Sequence, residues 1–252
     1  MNKSQIIKSP LVKIILLFFT LTFSGVLKSQ QFLPSFGIGG GPKFGWNFNL
    51  TKDLNAVLKT GGFPEMSEKG FFQMGGAGFV DLPHRNNFIR ISGFGNGFSS
   101  NLVADINDTL RKAANYSMGE GGIGIEYILP ATKFIDISFG ALFSTGRLTI
   151  ELYNYGTDFG NWNGIFGELS SNGSSSEIAR IFRSRFYSLS PQLGIGLMLR
   201  KFLYLKIDGG YQFSFHNKWK VDNSVEVNNF PEDIKAQGPF INVGLNLGLF
   251  IR

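Results

Sequence analysis

The sequence predicts an all-β chain that closes into an antiparallel, up-and-down transmembrane β-barrel of about eight strands, with short helices in the outer loops. The pattern behind this fold class is clearest in the segment 240–252. Its odd positions from Ile241 to Ile251 are all aliphatic, whereas its even positions are mostly glycine and asparagine. Successive side chains of a strand point to opposite faces, so one face of this strand is purely aliphatic.

The opposite face of this strand is small or polar and carries no charge before Arg252. A face exposed to water usually carries lysine, glutamate and threonine, so glycine and asparagine suit a confined interior better. The aliphatic face then has to meet an apolar environment. We therefore expect it to face lipid.

Seven further segments alternate in the same way, with a mixed phase in the third. In chain order the strands are 36–48, 71–82, 88–104, a fourth ending at Leu129, 135–153, 186–199, 203–215 and 240–252. A phase slip is expected near Gly146 in the fifth. Helical spacing predicts one helix over Thr51–Thr60, capped by Thr51 and ended by Gly61-Gly62, and a second over Ser174–Ser184.

The connections between these strands alternate in length. All even-numbered connections are short, and three of the four odd-numbered ones (49–70, 154–185 and 216–238) are long. Outer-membrane barrels have even strand numbers, brief periplasmic turns and extended outer loops. Outward aromatic residues cluster near the long-loop end, as in an interfacial girdle; they are Trp46, Phe48, Phe72, Tyr153, Tyr187 and Phe215. At the other end only Phe36 and Tyr127 have this parity.

Composition limits the functions to consider. Residues 1–29 have a basic start, a short apolar run and a polar exit, which predicts a signal peptide followed by a barrel domain over 30–252; a retained signal anchor is the alternative. Removing residues 1–29 takes away four lysines and lowers the net charge from +6 to +2, so no nucleic-acid partner is expected. The chain has no cysteine, which excludes disulfides and thiolate chemistry.

Taken together, these features resemble the small eight-stranded outer-membrane β-barrel proteins of Gram-negative-type bacteria. The resemblance covers nearly all of the mature chain and carries no catalytic motif. It implies a location in the cell outer membrane, contact with outer-membrane lipids and insertion by the barrel insertion machinery. Many members end on an aromatic residue, whereas this chain ends on Arg252 with Phe250 as the nearest aromatic.

Charged residues on the polar face are the first group of candidate functional residues: Lys43, Arg90, Glu126, Asp136, Lys206 and Asp208. Eight strands leave an interior that side chains can fill, and an unpaired buried charge is costly. We therefore expect a salt-bridged network that plugs the barrel; a narrow ion or proton path is the alternative. In the long loop, Arg180, Arg183 and Arg185 are candidates for contact with lipid headgroups or a surface partner.

Two motifs contain the residue types of enzymatic or nucleotide-binding chemistry. His216, with Ser214 before it and Asp222 and Glu226 beyond, supplies the residue types of lipid acyl transfer. Gly119–Gly124 fits G-x-G-x-x-G, but a strand continues where a nucleotide site needs a helix. Solvated loop residues explain the first motif better, and glycines that relieve crowding on the lumen face explain the second. We expect no cofactor and no metal site.

The sequence thus predicts a non-enzymatic outer-membrane barrel with a structural or surface-interaction role through its loops. Two alternatives stay open: an outer-membrane lipid-modifying enzyme that uses His216, and a soluble secreted barrel whose aliphatic rows face inward around a lipid.

Overall fold

The computed structural model of the chain describes residues 36–49, 51–107, 110–156, 178–222 and 224–251. The predicted signal peptide lies outside these residues. The strands are β1 Phe36–Asn47, β2 Phe71–His84, β3 Asn87–Asn107, β4 Leu110–Pro130, β5 Ile135–Gly156, β6 Ile178–Arg200, β7 Leu203–His216, β8 Lys220–Val221, β9 Val225–Glu226 and β10 Gly238–Ile251. The helix found in the described part of the chain is α1, Lys52–Thr60.

Eight of these strands form a closed ring. Each long strand pairs antiparallel with its neighbours in sequence, and β10 closes the ring by pairing with both β7 and β1. The ladder between β1 and β10 runs from Phe36↔Ile251 to Asn47↔Phe240 and is interrupted at Gly41 and Pro42, so the first and last strands are joined from one end of β1 to the other. The predicted closed, antiparallel, up-and-down barrel is therefore confirmed. The two short strands β8 and β9 form a hairpin attached to β6.

The side chains are distributed inside out. Along β10 the aliphatic residues are exposed, from Ile241 at 48% to Leu247 at 61%, whereas Asn242 and Asn246 are buried. The same alternation recurs on β6, where Leu193 is 68% exposed and the neighbouring Gln192 is buried. A soluble barrel with its aliphatic rows facing inward is therefore wrong for this chain.

Strands β3 to β6 are much longer than the other four barrel strands. They have 21 to 23 residues, whereas β1, β2, β7 and β10 have 12 to 14. About ten residues suffice for a strand to cross a membrane. We call the band of exposed aliphatic residues around the barrel, which includes the row Ile241–Ile251 of β10, the aliphatic belt. The extra length lies at the long-loop end, so β3–β6 form a wall that projects beyond this belt.

This projecting wall overturns two sequence predictions. Residues 178–184 were expected in a helix, but they pair with 148–154 of β5 in unbroken register, which satisfies their backbone groups. Residues 174–177 of that prediction lie outside the described residues. The phase slip near Gly146 is also absent, because Gly146 pairs in register with Glu120 and Phe186.

The helix α1 forms where predicted. It buries Leu54 and Leu58 and ends at Gly61, and Gly62 has a positive φ of 68°. Thr51 does not cap it through its side chain, because its hydroxyl instead donates to the Ser67 carbonyl at 3.2 Å. Across the described residues, helices long and apolar enough to span a membrane are not found.

Candidate functional site

The barrel interior near the short-turn end contains a buried arginine–carboxylate pair. Arg90 Nε and Nη2 donate to the two oxygens of Asp81 at 2.7 and 3.0 Å, and both side chains are 1% exposed or less. The Arg90 guanidinium also stacks on Phe79 at 3.7 Å and lies 4.8 Å from the Tyr204 ring centre. Phe250 completes the aromatic group around this pair and is buried. This end of the lumen is filled by side chains.

A second group of charges crosses the middle of the lumen. Lys206 Nζ lies 2.5 Å from Glu126 and 3.8 Å from Asp208, and Lys43 Nζ lies 3.5 Å from Asp208. Two lysines and two carboxylates thus balance each other, and all four are buried. The cost of desolvating the charged groups offsets much of the attraction within buried salt bridges. Loss of one partner is nevertheless costly, because it leaves the other charge buried and unpaired.

Neutral amides extend these ion pairs to both walls of the barrel. Gln73 Nε2 donates to Asn242 at 2.8 Å, and Asn242 Nδ2 donates to Asp208 at 3.0 Å. On the other side, Gln192 Nε2 donates to Glu126 at 3.0 Å. A continuous chain of polar contacts therefore joins β2, β10, β7, β4 and β6 across the lumen.

The structure brings five of the six predicted interior charges into these two groups. We call all six the lumen charge network; they are Lys43, Arg90, Glu126, Asp136, Lys206 and Asp208. Asp136 is buried as well, on β5 beside Gly196. The cavity among the ion pairs has a volume of about 40 Å³, which is room for about one water molecule.

Sequence reasoning missed several interior residues. Asp81 alternates with the exposed Val80 and Leu82, so its parity placed it on the inner face. Glu120 accepts from Ser144 at 2.7 Å and from Gln212 at 3.1 Å. It lies in Gly119–Gly124, the stretch that fits the nucleotide fingerprint, and that stretch is part of β4, which continues as a strand to Pro130.

The long-loop end of the interior is apolar. We call the buried residues there the upper apolar cluster: Leu54, Leu58, Met66, Phe71, Phe98, Ala114, Tyr116, Met118, Leu148, Ile150, Phe186, Trp219, Ile234 and Ala236. They come from the projecting strand wall, from the start of β2, from α1 and the stretch that follows it, and from the described residues of the segment 217–237. Phe71 stacks on Phe98 at 4.6 Å, and Trp219 stacks on Phe230 at 4.2 Å. The helix and the segment 217–237 thus cover the mouth of the barrel.

His216 joins the segment 217–237 to the barrel wall. Its Nε2 accepts from the Ala236 N–H at 2.9 Å, and its Nδ1 lies 3.2 Å from Ser184 Oγ, which donates to the Asn217 carbonyl at 2.8 Å. Because Nε2 accepts and Ser184 uses its proton elsewhere, Nδ1 carries the hydrogen of a neutral imidazole. Burial, reinforced by the positive charge of Lys235, lowers the pKa of His216 to about 4.

The residues named for acyl transfer are not assembled around His216. Ser214 Oγ makes no hydrogen bond within the described ranges, Asp222 pairs with Arg180, and Glu226 pairs with Lys218. Ser184 is the hydroxyl beside the imidazole, but a histidine that donates from Nδ1 cannot accept a proton from it there. This arrangement connects a loop to the wall and lacks the geometry of a nucleophile and its base.

The hydrogen bonds of His216 hold the segment 217–237 over the mouth of the barrel, which we call the closed state. We predict that acid breaks these bonds and favours an open state in which the segment is released. The folded pKa of about 4 is below the ordinary 6.5, so the open state binds more protons than the closed one. Closure is fully favoured above pH 6.5, and it weakens as the pH falls from about 6.5 to 4. The protection of the Ala236 amide from hydrogen exchange, corrected for the pH dependence of the intrinsic exchange rate, should decrease over this window. The variant His216→Gln should lose that pH dependence, whereas His84→Gln, in a turn at the opposite end, should keep it.

The outer rim carries a group of cations that includes two of the three predicted arginines. Arg183 and Arg185 lie on the projecting part of β6, opposite Thr149 and Arg147 of β5. Arg180 lies farther along β6 and pairs with Asp222 at 3.6 Å. The three arginines predicted in the long loop thus lie on a strand, and Arg183 and Arg185 share the outward face of β6 with Tyr187, which pairs with Phe215.

Comparison with known proteins finds similar solved structures but no matching family. No family model and no curated protein matches the sequence. Similar solved structures include Ail, the attachment invasion locus protein of Yersinia pestis, in complex with the heparin analogue sucrose octasulfate. This structure has 8% identity and a TM-score of 0.37, and the match covers 85% of this chain and 97% of that chain.

Two further structures come from Acinetobacter baumannii. CarO2 has 11% identity and a TM-score of 0.35, with 84% of this chain and 99% of that chain covered. CarO has 12% identity and a TM-score of 0.33, with coverages of 88% and 100%. These proteins are small eight-stranded outer-membrane β-barrels. The same eight-stranded ring is shown for this chain by its own strand pairing.

Proposed function

We propose that this chain is an outer-membrane β-barrel protein with a structural or surface-interaction role and a closed interior. The observation that carries the proposal is the inside-out distribution of side chains. Aliphatic residues cover the outside of a closed ring, while charged and amide side chains are buried within it. Water penalises such an exterior and lipid favours it, so a bilayer is the environment that fits.

The height of the aliphatic belt supports a membrane location. At about 3.3 Å a residue and a tilt of about 40°, the row from Ile241 to Ile251 rises by about 25 Å, which is the apolar band expected of an outer-membrane barrel. Tyr187 and Phe215 stand exposed at its upper edge, and Phe134 and Phe202 stand exposed in the turns at its lower edge. Aromatic residues at both edges are typical of membrane interfaces.

The interior supports a role other than solute passage. The ion pairs of Lys206 with Glu126 and of Lys43 with Asp208 span the middle of the barrel. The Arg90–Asp81 pair lies at the short-turn end and the upper apolar cluster at the long-loop end. An eight-stranded barrel is just wide enough for its side chains to fill. The proposed activity therefore lies on the surfaces that the barrel presents, above all α1 and the segment 217–237 beyond the membrane.

Cell fractionation and heat-modifiable electrophoresis test the membrane proposal. We expect the protein in the outer-membrane fraction, and we expect the unheated, detergent-extracted form to migrate faster than the boiled form, because a closed sheet resists unfolding by dodecyl sulfate. A water-soluble protein in the periplasm or medium would contradict the proposal.

Planar-bilayer recording tests the closed interior. We expect no unitary conductance steps after insertion at neutral pH, since the cavity among the ion pairs holds about one water molecule. Steady steps that change when Lys206 is replaced by methionine would instead establish the ion path through the lumen charge network. The variant Lys201→Met, in the exposed turn between β6 and β7, is the matched control.

A further inference from the structure

Five cations line a depression on the outward face of the projecting wall. We call Arg147, Arg183, Arg185, Lys218 and Lys220 the rim cluster. Together with Ser184 and Asn217 they surround a volume of about 350 Å³, and no carboxylate lines it within the described residues. Arg147 and Arg185 are cross-strand partners, and Arg183 pairs with Lys220 of β8. The backbone register therefore fixes these side chains next to one another.

The rim cluster lies just above the upper edge of the aliphatic belt. Arg185 lies two residues above Tyr187 on the same face of β6, and Tyr187 pairs with Phe215 at the upper edge of the aliphatic belt. Aromatic rings of this kind settle at the level of lipid headgroups. The cations directly above them consequently lie where the phosphate groups of outer-leaflet lipids begin.

The arrangement is unfavourable without an anion. Like charges directly opposite on neighbouring strands destabilise a sheet, and Arg147 faces Arg185 in this way. Lys218 pairs with Glu226 at 2.9 Å, but Arg147, Arg183 and Arg185 form no ion pair with any described residue. Three guanidinium groups around one depression match the several acceptor oxygens of a phosphate, which arginine binds through paired hydrogen bonds.

We propose that the rim cluster binds the phosphate group of an outer-leaflet phospholipid or other phosphorylated lipid. The inference rests on the proposed membrane location and names the lipid chemistry that this face recognises. The acyl chains of the bound lipid lie against the belt below, beside Tyr187 and Phe215, while Arg147, Arg183 and Arg185 hold the phosphate. Arg147, Lys218 and Lys220 thus join a site for which the sequence indicated only arginines of the loop.

Native mass spectrometry of the full chain in detergent tests this site with short-chain phosphatidic acid as the probe. The variant R147Q/R183Q/R185Q should raise the Kd at least about tenfold, because each lost charge-assisted hydrogen bond weakens binding by about a factor of ten. The matched control R200Q/K201Q removes two exposed cations from the opposite rim and should leave the Kd unchanged. Equal Kd values for wild type and the triple variant would overturn the site.

A second ligand and a charge-conserving variant distinguish the possible reasons for a negative result. Inorganic phosphate alone should bind at least about tenfold more weakly than phosphatidic acid, because it lacks acyl chains to bury; equal affinity would overturn the lipid as the ligand. The charge-conserving R147K/R183K/R185K should retain part of the affinity, and complete loss in a folded variant would contradict recognition by charge. Heat-modifiable migration of each variant shows whether the barrel is intact, so failure of the barrel proposal is distinguished from failure of the site.

Discussion

Replacing Arg90 by leucine is expected to lower the free energy of unfolding by about 3–5 kcal/mol, which is the usual cost of removing one partner of a buried ion pair. Asp81 is 0% exposed and would lose two hydrogen bonds of 2.7 and 3.0 Å from the guanidinium. The contacts of Arg90 with Phe79 and Tyr204 would be lost as well. The folded fraction along a urea series, read from heat-modifiable migration, measures the effect.

The double variant Arg90→Leu/Asp81→Leu separates the ion pair from the packing. Replacing both partners removes the stranded carboxylate, so it should recover a large part of the lost stability. Arg200→Leu, at an exposed strand end, is the control and should change the free energy of unfolding by less than about 0.5 kcal/mol. A loss below about 1 kcal/mol for Arg90→Leu would show that this pair does not stabilise the barrel.

The belt and the ring could be predicted because one physical rule, period-two alternation, applies to every strand inside the apolar band. Ile241 to Ile251 show it without interruption, and the pairing of β10 with β1 and β7 follows from closure. Asp81 obeyed the same rule, so its inward position was readable from Val80 and Leu82 on either side. The partner of each buried charge was not readable, because cross-lumen pairs such as Lys206 with Glu126 join strands far apart in sequence.

Beyond the belt, the outward face no longer has to be aliphatic. The alternation of apolar and polar residues therefore no longer distinguishes the two faces of a strand. Arg183, Arg185 and Arg147 occupy outward positions there, and inward positions carry apolar residues such as Phe182 and Leu148. The spacing of Ile178, Ile181 and Phe182 therefore resembles the apolar stripe of an amphipathic helix. Pairing with β5 provides more backbone hydrogen bonds than a short isolated helix, and the strand forms instead.

Replacing Leu245 by arginine is expected to destabilise the barrel in a lipid bilayer by about 2–4 kcal/mol, the cost of a lipid-facing arginine near the bilayer midplane. Leu245 lies in the middle of the outward row of β10 and is 41% exposed. The effect comes from the environment of the side chain, because Leu245 projects away from the packed interior. Urea unfolding in phosphatidylcholine vesicles measures it.

The same substitution at the edge of the belt is the matched control. Leu199 is 45% exposed, ends the outward row of β6 and precedes Arg200 at the short-turn rim. Leu199→Arg should cost only about 0–1 kcal/mol, because an arginine near the interface reaches water and headgroups. Leu245 and Leu199 have similar exposure and differ in their depth in the bilayer. If both variants lost equal stability, or if neither did, the aliphatic belt would not be facing a bilayer, and the inside-out barrel would need another explanation.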